Sequence, residues 1–169
     1  MKKQILITIF LSIIFNWAFA QNSVPANNLN LSLMDKYAGT WEWKSGNSSF
    51  TIVLKRKQIA TGVYLLNGWY RYIKNGQIVI DKLNKVDSVK HSGLSGYAVN
   101  GNDTLTIIFS DETRNKLRNG IIFFVGGENR ILIHLTNNRT HSLSQIGQKK
   151  IYYYDTLPTD RDIELTRMQ

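Results

Sequence analysis

Asp35-Lys36-Tyr37-Ala38-Gly39-Thr40-Trp41-Glu42-Trp43 is the stretch on which the reading of this chain turns. Leu29, Leu31, Leu33, Met34 and Tyr37 cover one side of a short amphipathic helix. Gly39 stands where such a helix ends, because the residue just past the last turn often needs φ > 0. From Trp41 the apolar period drops to two, with Trp41 and Trp43 on one face and Thr40, Glu42 and Lys44 on the other. The pattern never returns to helical spacing, so an all-β protein with one short N-terminal helix is predicted.

Downstream, Phe50, Ile52 and Leu54 alternate with Thr51, Val53 and Lys55, and Ser45-Gly46-Asn47 turns the chain between these first two strands. Val63 to Lys74 reads as a long aromatic strand, in which Asn67-Gly68 predicts a bulge or kink. Asn75-Gly76 gives the strongest hairpin signal, since both residues accept the positive φ of a type I′ turn, and Gln77 to Leu83 is the returning strand. Asp87 to Gly96 is glycine-broken and predicts a loop before a short strand at Tyr97 to Val99. Asn100 to Asp103 makes the next hairpin, and Leu105, Ile107 and Phe109 share a face. Ser110 to Asn119 is charged and reads as a loop or an exposed strand end. Asn119-Gly120 then leads into Ile121 to Val125, and Gly126 to Asn129 turns into Ile131 to Thr136. Asn137 to Gln148 is polar; Lys149 to Tyr154 and Arg161 to Arg167 are the final strands, separated by Leu157-Pro158. In the last of them Ile163, Leu165 and Arg167 share a face, which places a guanidinium on the side predicted to be buried, at a cost unless it has a partner. About eight to ten strands at short spacing predict one antiparallel barrel or sandwich, and a closed barrel has no exposed edges to protect.

Residues 1–20 read as an export signal: Lys2 and Lys3, the apolar run Ile5 to Phe15, and the small-x-small site Ala18-Phe19-Ala20. The apolar run falls short of the roughly 20 residues of a spanning helix, so no stable membrane anchor is expected and the mature chain is expected to begin at Gln21. The predicted organisation is a signal peptide over 1–20, a leader and short helix over 21–34, and a β-barrel domain over 35–169. The destination is the periplasm or the extracellular space. No cysteine occurs, which removes disulfides, thiolate chemistry and a lipid-modified N-terminus. The mature chain carries 19 basic and 12 acidic side chains, a formal +7. In an exported protein this balance fits solubility or an anionic envelope surface, with Lys55-Arg56-Lys57 and Lys149-Lys150 as the basic clusters. Nucleic acid is not an expected partner, because neither a recognition helix nor a stacked aromatic platform is apparent.

Catalytic constellations are missing from the pattern. His91, His134 and His141 lie in separate segments with no ligand spacing, so no metal and no cofactor are expected. Gly93-Leu94-Ser95-Gly96 lacks the spacing and the strand-to-helix setting of a nucleophile elbow. Asp111-Glu112 are adjacent and would face opposite ways on a strand, which suits a solvated turn rather than acid and base work. Trp69, Tyr70, Tyr72 and Tyr152 to Tyr154 supply rings that suit either ordinary strand packing or the wall of a pocket.

Gly39-Thr40-Trp41 at the head of a run of strands resembles the opening of lipocalin-like (calycin) barrels, in which the tryptophan closes the narrow end. In those barrels an arginine from late in the chain packs over that tryptophan, and the resemblance implies Arg167 in this role, with Arg161 in reserve. A solvent-facing arginine at a frayed terminus is the plain alternative. Together with Phe50 to Lys55, Gly68 to Gly76 and Pro158-Thr159 ahead of Ile163 to Thr166, the same opening resembles an uncharacterised family of small exported bacterial proteins of unknown function. Arg161-Asp162 looks like an addition to that family's last junction, and the family brings no activity with it. The expected function is a non-enzymatic, lipocalin-like binding module for a small apolar or amphipathic ligand, with Trp69, Tyr72 and Tyr153 as candidate walls and Gly39, Trp41 and Arg167 as structural closure. Its alternative is an envelope or secreted interaction protein whose barrel is filled by its own side chains.

Overall fold

A computed structural model describes residues 28–111, 116–136 and 162–169. The signal segment, Tyr153, His141, Arg161, Lys149-Lys150 and the expected strand at Lys149 to Tyr154 lie outside the described residues. Helix α1 (Leu31–Tyr37) is followed by nine strands: β1 (Gly39–Ser45), β2 (Ser48–Ala60), β3 (Val63–Lys74), β4 (Gln77–Asp81), β5 (Leu94–Tyr97), β6 (Leu105–Asp111), β7 (Lys116–Phe124), β8 (Arg130–Leu135) and β9 (Asp162–Arg167). Every pairing is antiparallel. Eight strands, all but β4, close a barrel in which each strand lies beside its neighbour in sequence and β9 returns to β1.

The extra strand has a simple explanation in the register of β3. Its first edge is occupied by β2 along nearly its whole length. Its second edge is shared: Leu66 to Gly68 pair with β5, and Arg71 to Lys74 pair with β4. Between them Lys82 N donates to Tyr70 O at 2.9 Å and Gly93 N donates to Gly68 O at 2.7 Å. Thus β4 and β5 are two halves of one stave, interrupted by an excursion over residues 83–92 whose ends are anchored side by side.

Strict alternation fills the interior. Phe50, Ile52 and Leu54 from β2, Tyr70 and Tyr72 from β3, Leu105, Ile107 and Phe109 from β6, Ile131, Ile133 and Leu135 from β8, and Ile163 and Leu165 from β9 form one core. Helix α1 seals one end. Asn30 caps it by accepting from Leu33 N at 2.9 Å, and Met34 and Tyr37 are buried. The Tyr37 ring stacks on Phe124 at 4.3 Å while its hydroxyl donates to Asp103 O, and burial pushes the phenol up to about 12. Trp41, buried beneath, donates its indole N–H to Tyr37 O at 2.9 Å. Arg167, paired with Trp41 across β9 and β1, lays its guanidinium 4.2 Å from the centre of the indole. The same group donates to Ala38 O at 3.0 Å and to Lys36 O. Gly39 has φ +136°, and a Cβ there would stand 2.9 Å from Arg167 Nη1, so both conformation and space demand glycine.

Three expected boundaries are corrected. β3 is unbroken at Asn67-Gly68: Gly68 faces inward between Leu54 and Leu94, where a Cβ would come within 3.0 Å of each, so the glycine is a packing site and not a bulge. The returning strand ends at Asp81 and the next runs from Leu94 to Tyr97, because the interrupted stave resumes as soon as inward positions recur at Leu94 and Gly96. The charged stretch after Phe109, read as a loop or an exposed strand end, is strand at both of its described ends: β6 continues to Asp111 and β7 begins at Lys116, so Asn119-Gly120 lies inside β7 rather than ahead of it. Gly120 lies inside β7 against His134 O, where any Cβ would collide.

Two outcomes are expected from urea unfolding. Arg167→Met lowers stability by about 2 kcal/mol, the scale of charge-assisted hydrogen bonds to carbonyls lost together with a cation–π contact, and Arg167→Lys recovers less than half of that loss. Gly93→Ala costs about 1–3 kcal/mol by overpacking, because the added methyl would drive into the buried Tyr70 ring.

Candidate functional site

The two ends of the barrel differ in chemistry. At the helix end the interior is apolar and closed. At the other end lie the hairpins joining β1 to β2 and β3 to β4, tied together by Gly76 N donating to Asn47 O at 2.7 Å, with the last residue of β6 and the first of β7. Three ionisable side chains turn inward there. Asp111 continues the inward series Leu105, Ile107, Phe109 and is 1% exposed. Arg118, with Gly120 and Ile122 on the inward face of β7, pairs with Phe109 and is 5% exposed. Lys82 follows Ile80 inward at the end of β4; it is 6% exposed, with Nζ 5.9 Å from the centre of the Tyr70 ring.

Register brings these groups to one place. Ser110 N donates to Gly93 O at 2.8 Å, so the next inward residue of β6, Asp111, falls beside the stave position that Lys82 fills. Arg118 is the diagonal neighbour of Asp111 across the β6–β7 pair, within reach of a long side chain. Below them lies an aromatic floor. Tyr70 meets Phe109 at 5.0 Å and Phe50 at 5.4 Å, and Phe50 is 6.4 Å from both Phe109 and Tyr72. The Tyr70 hydroxyl crosses the wall to donate to Ser110 O at 2.9 Å. Burial raises the Tyr72 phenol above its ordinary value, so it stays a neutral donor and acceptor through the physiological range.

Of the residues singled out as walls, Tyr72 faces into the barrel at this end. Trp69 does not share its wall: odd positions of β3 face outward, and Trp69 is buried beneath the 83–92 excursion, its indole N–H donating to Ser88 O at 3.1 Å. Tyr153 lies outside the described residues. Gly39, Trp41 and Arg167 come together at the opposite end. Asp111, expected in a solvated turn, is instead buried at the end of β6, because the strand outlasts the apolar run that marks it in the sequence. Lys82 and Arg118 were not anticipated; the available signal was parity, since Arg118 lies two and four residues before Gly120 and Ile122.

The described histidines serve their own neighbourhoods. His134 Nδ1 is 2.6 Å from Asp162 Oδ1 and His91 Nδ1 is 2.8 Å from Ser88 Oγ. Among the described residues no group of three or more histidines and carboxylates gathers as a metal site, and no helix is long and apolar enough to cross a membrane. In the Lys55-Arg56-Lys57 cluster, Asp87 is 2.6 Å from Lys57 and 3.2 Å from Lys55, and Asp35 is 3.2 Å from Arg56.

No curated protein and no solved structure matches the chain. Residues 1–166 match a family of unknown function (DUF6705), and the chain belongs to that family.

Proposed function

We propose that this is an exported, non-enzymatic binding protein that holds one small amphipathic molecule at the hairpin end of its barrel. The molecule's apolar part lies against Phe50, Tyr72 and Phe109, and its anionic head lies among Lys82, Arg118 and Asp111. One observation carries this reading: three nearly inaccessible ionisable side chains inside a barrel whose other buried inward residues, among those described, are aliphatic, aromatic or glycine. Withdrawing an ion from water costs several kcal/mol, and apolar residues of similar size commonly stabilise a fold as well or better. Folding alone therefore does not call for this set. Two cations beside one anion favour a negatively charged ligand group, and the guanidinium offers a planar fork suited to a carboxylate or phosphate. The basic start, apolar run and small-residue site of the first twenty residues support export to the periplasm or beyond.

A second reading, a filled barrel that acts through its outer surface, is favoured by the rings of Phe50, Tyr70 and Phe109 meeting across the interior. Native mass spectrometry of protein purified gently from its own host separates the two. The binding reading expects a retained small molecule. It also expects a fluorescent fatty acid to bind at least about tenfold tighter than the alcohol of the same chain, with Arg118→Met removing most of that difference, a change of about 1.4 kcal/mol. A ligand-free chain that binds neither probe while remaining folded overturns the binding reading in favour of the filled barrel.

A further inference from the structure

Asn-Gly occurs four times in the chain, at Asn67-Gly68, Asn75-Gly76, Asn100-Gly101 and Asn119-Gly120, and the fold treats the four differently. An asparagine followed by glycine is open to a reaction that needs no enzyme, in which the glycine nitrogen loses its proton to a base in solvent and attacks the side-chain Cγ. The N–H must be free for this, and the backbone around it able to turn. Gly68 and Gly120 lie within strands paired on both edges, and Asn67 is fully buried, accepting from Ser95 Oγ at 3.0 Å. Asn75-Gly76 occupies an exposed hairpin, yet both of its amides are held: Asn75 N donates to Ser48 Oγ at 3.0 Å and Gly76 N to Asn47 O at 2.7 Å. Asn100-Gly101 is the exception. Asn102 N donates to Val99 O at 3.3 Å and closes a turn with Asn100 and Gly101 at its centre. Both are exposed, a Cβ added to Gly101 would meet nothing within 4 Å, and the Gly101 N–H donates to no described group.

The same turn holds helix α1 from two sides. Ahead of the reactive bond, Leu29 bridges Val99, Asn100 N donates to Asn28 O at 2.9 Å, and Ala98 O accepts at 2.8 Å from the N–H of Asn30, the residue that caps the helix. Beyond it, Asp103 O accepts at 2.9 Å from the hydroxyl of Tyr37, the last residue of the helix. The backbone between Asn100 and Asp103 sets the spacing of these two anchors.

We propose that Asn100 is a self-modification site, and that its conversion to isoaspartate loosens α1 from the end of the barrel. Gly101 N bonds to Asn100 Cγ, and the side-chain nitrogen leaves as ammonia, which closes a succinimide ring. Water then adds to one of the two ring carbonyls. Cleavage between Gly101 N and the main-chain carbonyl carbon of Asn100 leaves the chain running through Cβ and Cγ, one methylene longer, with a new carboxylate on Cα. Cleavage at Cγ gives aspartate instead. A water is consumed and an ammonia released, with no change of oxidation state. The added length falls between the two anchors, so the turn no longer spaces them as the helix requires.

Peptide mapping by mass spectrometry of the purified protein, aged in mildly alkaline buffer, reads the reaction directly. Asn100 is expected to convert at least about tenfold faster than Asn75, the factor that the two hydrogen bonds holding the Asn75 turn supply, with Asn67 and Asn119 slower still. In denaturing urea the four pairs are expected to react at similar rates, because only the fold separates them. Hydrogen exchange then reads the consequence. Amides of residues 30–38 are expected to exchange at least about tenfold faster in the isoaspartyl fraction than in fresh protein. Fresh Asn100→Asp, which has the charge without the added length, and aged Asn100→Gln, which has neither, are expected to keep the fresh rate. An Asn100 that stays intact or converts no faster than Asn75, amides of α1 equally protected in isoaspartyl and intact chains, or full loosening already present in fresh Asn100→Asp, overturns the proposal.

Discussion

The first and last described strands meet through two residue pairs, Trp41 with Arg167 and Glu42 with Thr166, and the barrel exists as a closed surface because they do. The β1–β9 pairing is brief, so backbone bonds alone make a weak join. The guanidinium reinforces it by donating to carbonyls of the segment between α1 and β1 while lying on the indole. An arginine suits this task better than a lysine, because a flat fork can satisfy several carbonyl acceptors and stack at once. The surrounding residues follow from its presence: Gly39 leaves the space it occupies, and Trp41, with its N–H satisfied by Tyr37 O, presents a clean face.

Closing one end so completely gives the barrel a direction. Packing at the helix end is apolar and ring-rich, with Tyr37 against Phe124 and Phe124 against Trp41. At the hairpin end the same inward positions carry Lys82, Asp111 and Arg118. A barrel interior of eight strands is only wide enough for its side chains or for one small guest, so what occupies each level decides between packing and binding. Here the aromatic floor of Phe50, Tyr70 and Phe109 divides the two levels, and Lys82 stands on the charged side, at the point where the stave is interrupted.

Much of this was legible in the chain. The change of period at Trp41, the inward sets Phe50, Ile52, Leu54 and Leu105, Ile107, Phe109, and the parity that puts Arg167 beside Ile163 and Leu165 all rest on strand alternation, which the structure keeps. What could not be read is where alternation is carried by charged residues or glycines. Asp111 and Arg118 look like exposure in a pattern of polarity, and Asn119-Gly120 reads as the lead-in to a strand, although it lies inside β7, where Gly120 is required by the approach of His134 O. The interrupted stave was also hidden, because an excursion that leaves and returns to adjacent carbonyls breaks the pattern without breaking the sheet. Trp69 shows the same limit: a buried tryptophan on an outward position makes sense only once residues 83–92 are known to lie over it.

The excursion over residues 83–92 and the inward placement of Lys82 are two aspects of one arrangement. An unbroken strand through residues 82 and 93 would set Lys82 against β6 as an ordinary rung, with no reason for a lysine to face a closed apolar interior. Interrupting the stave places a long cation at the edge of the core, with its Nζ 5.9 Å from the centre of the Tyr70 ring. Gly93 is the matching concession on the other side, for any larger residue would occupy the space of the Tyr70 ring. The wall nevertheless keeps its hydrogen bonds at this level, with Lys82 N on Tyr70 O, Gly93 N on Gly68 O and Ser110 N on Gly93 O, so the excursion is accommodated without opening the sheet.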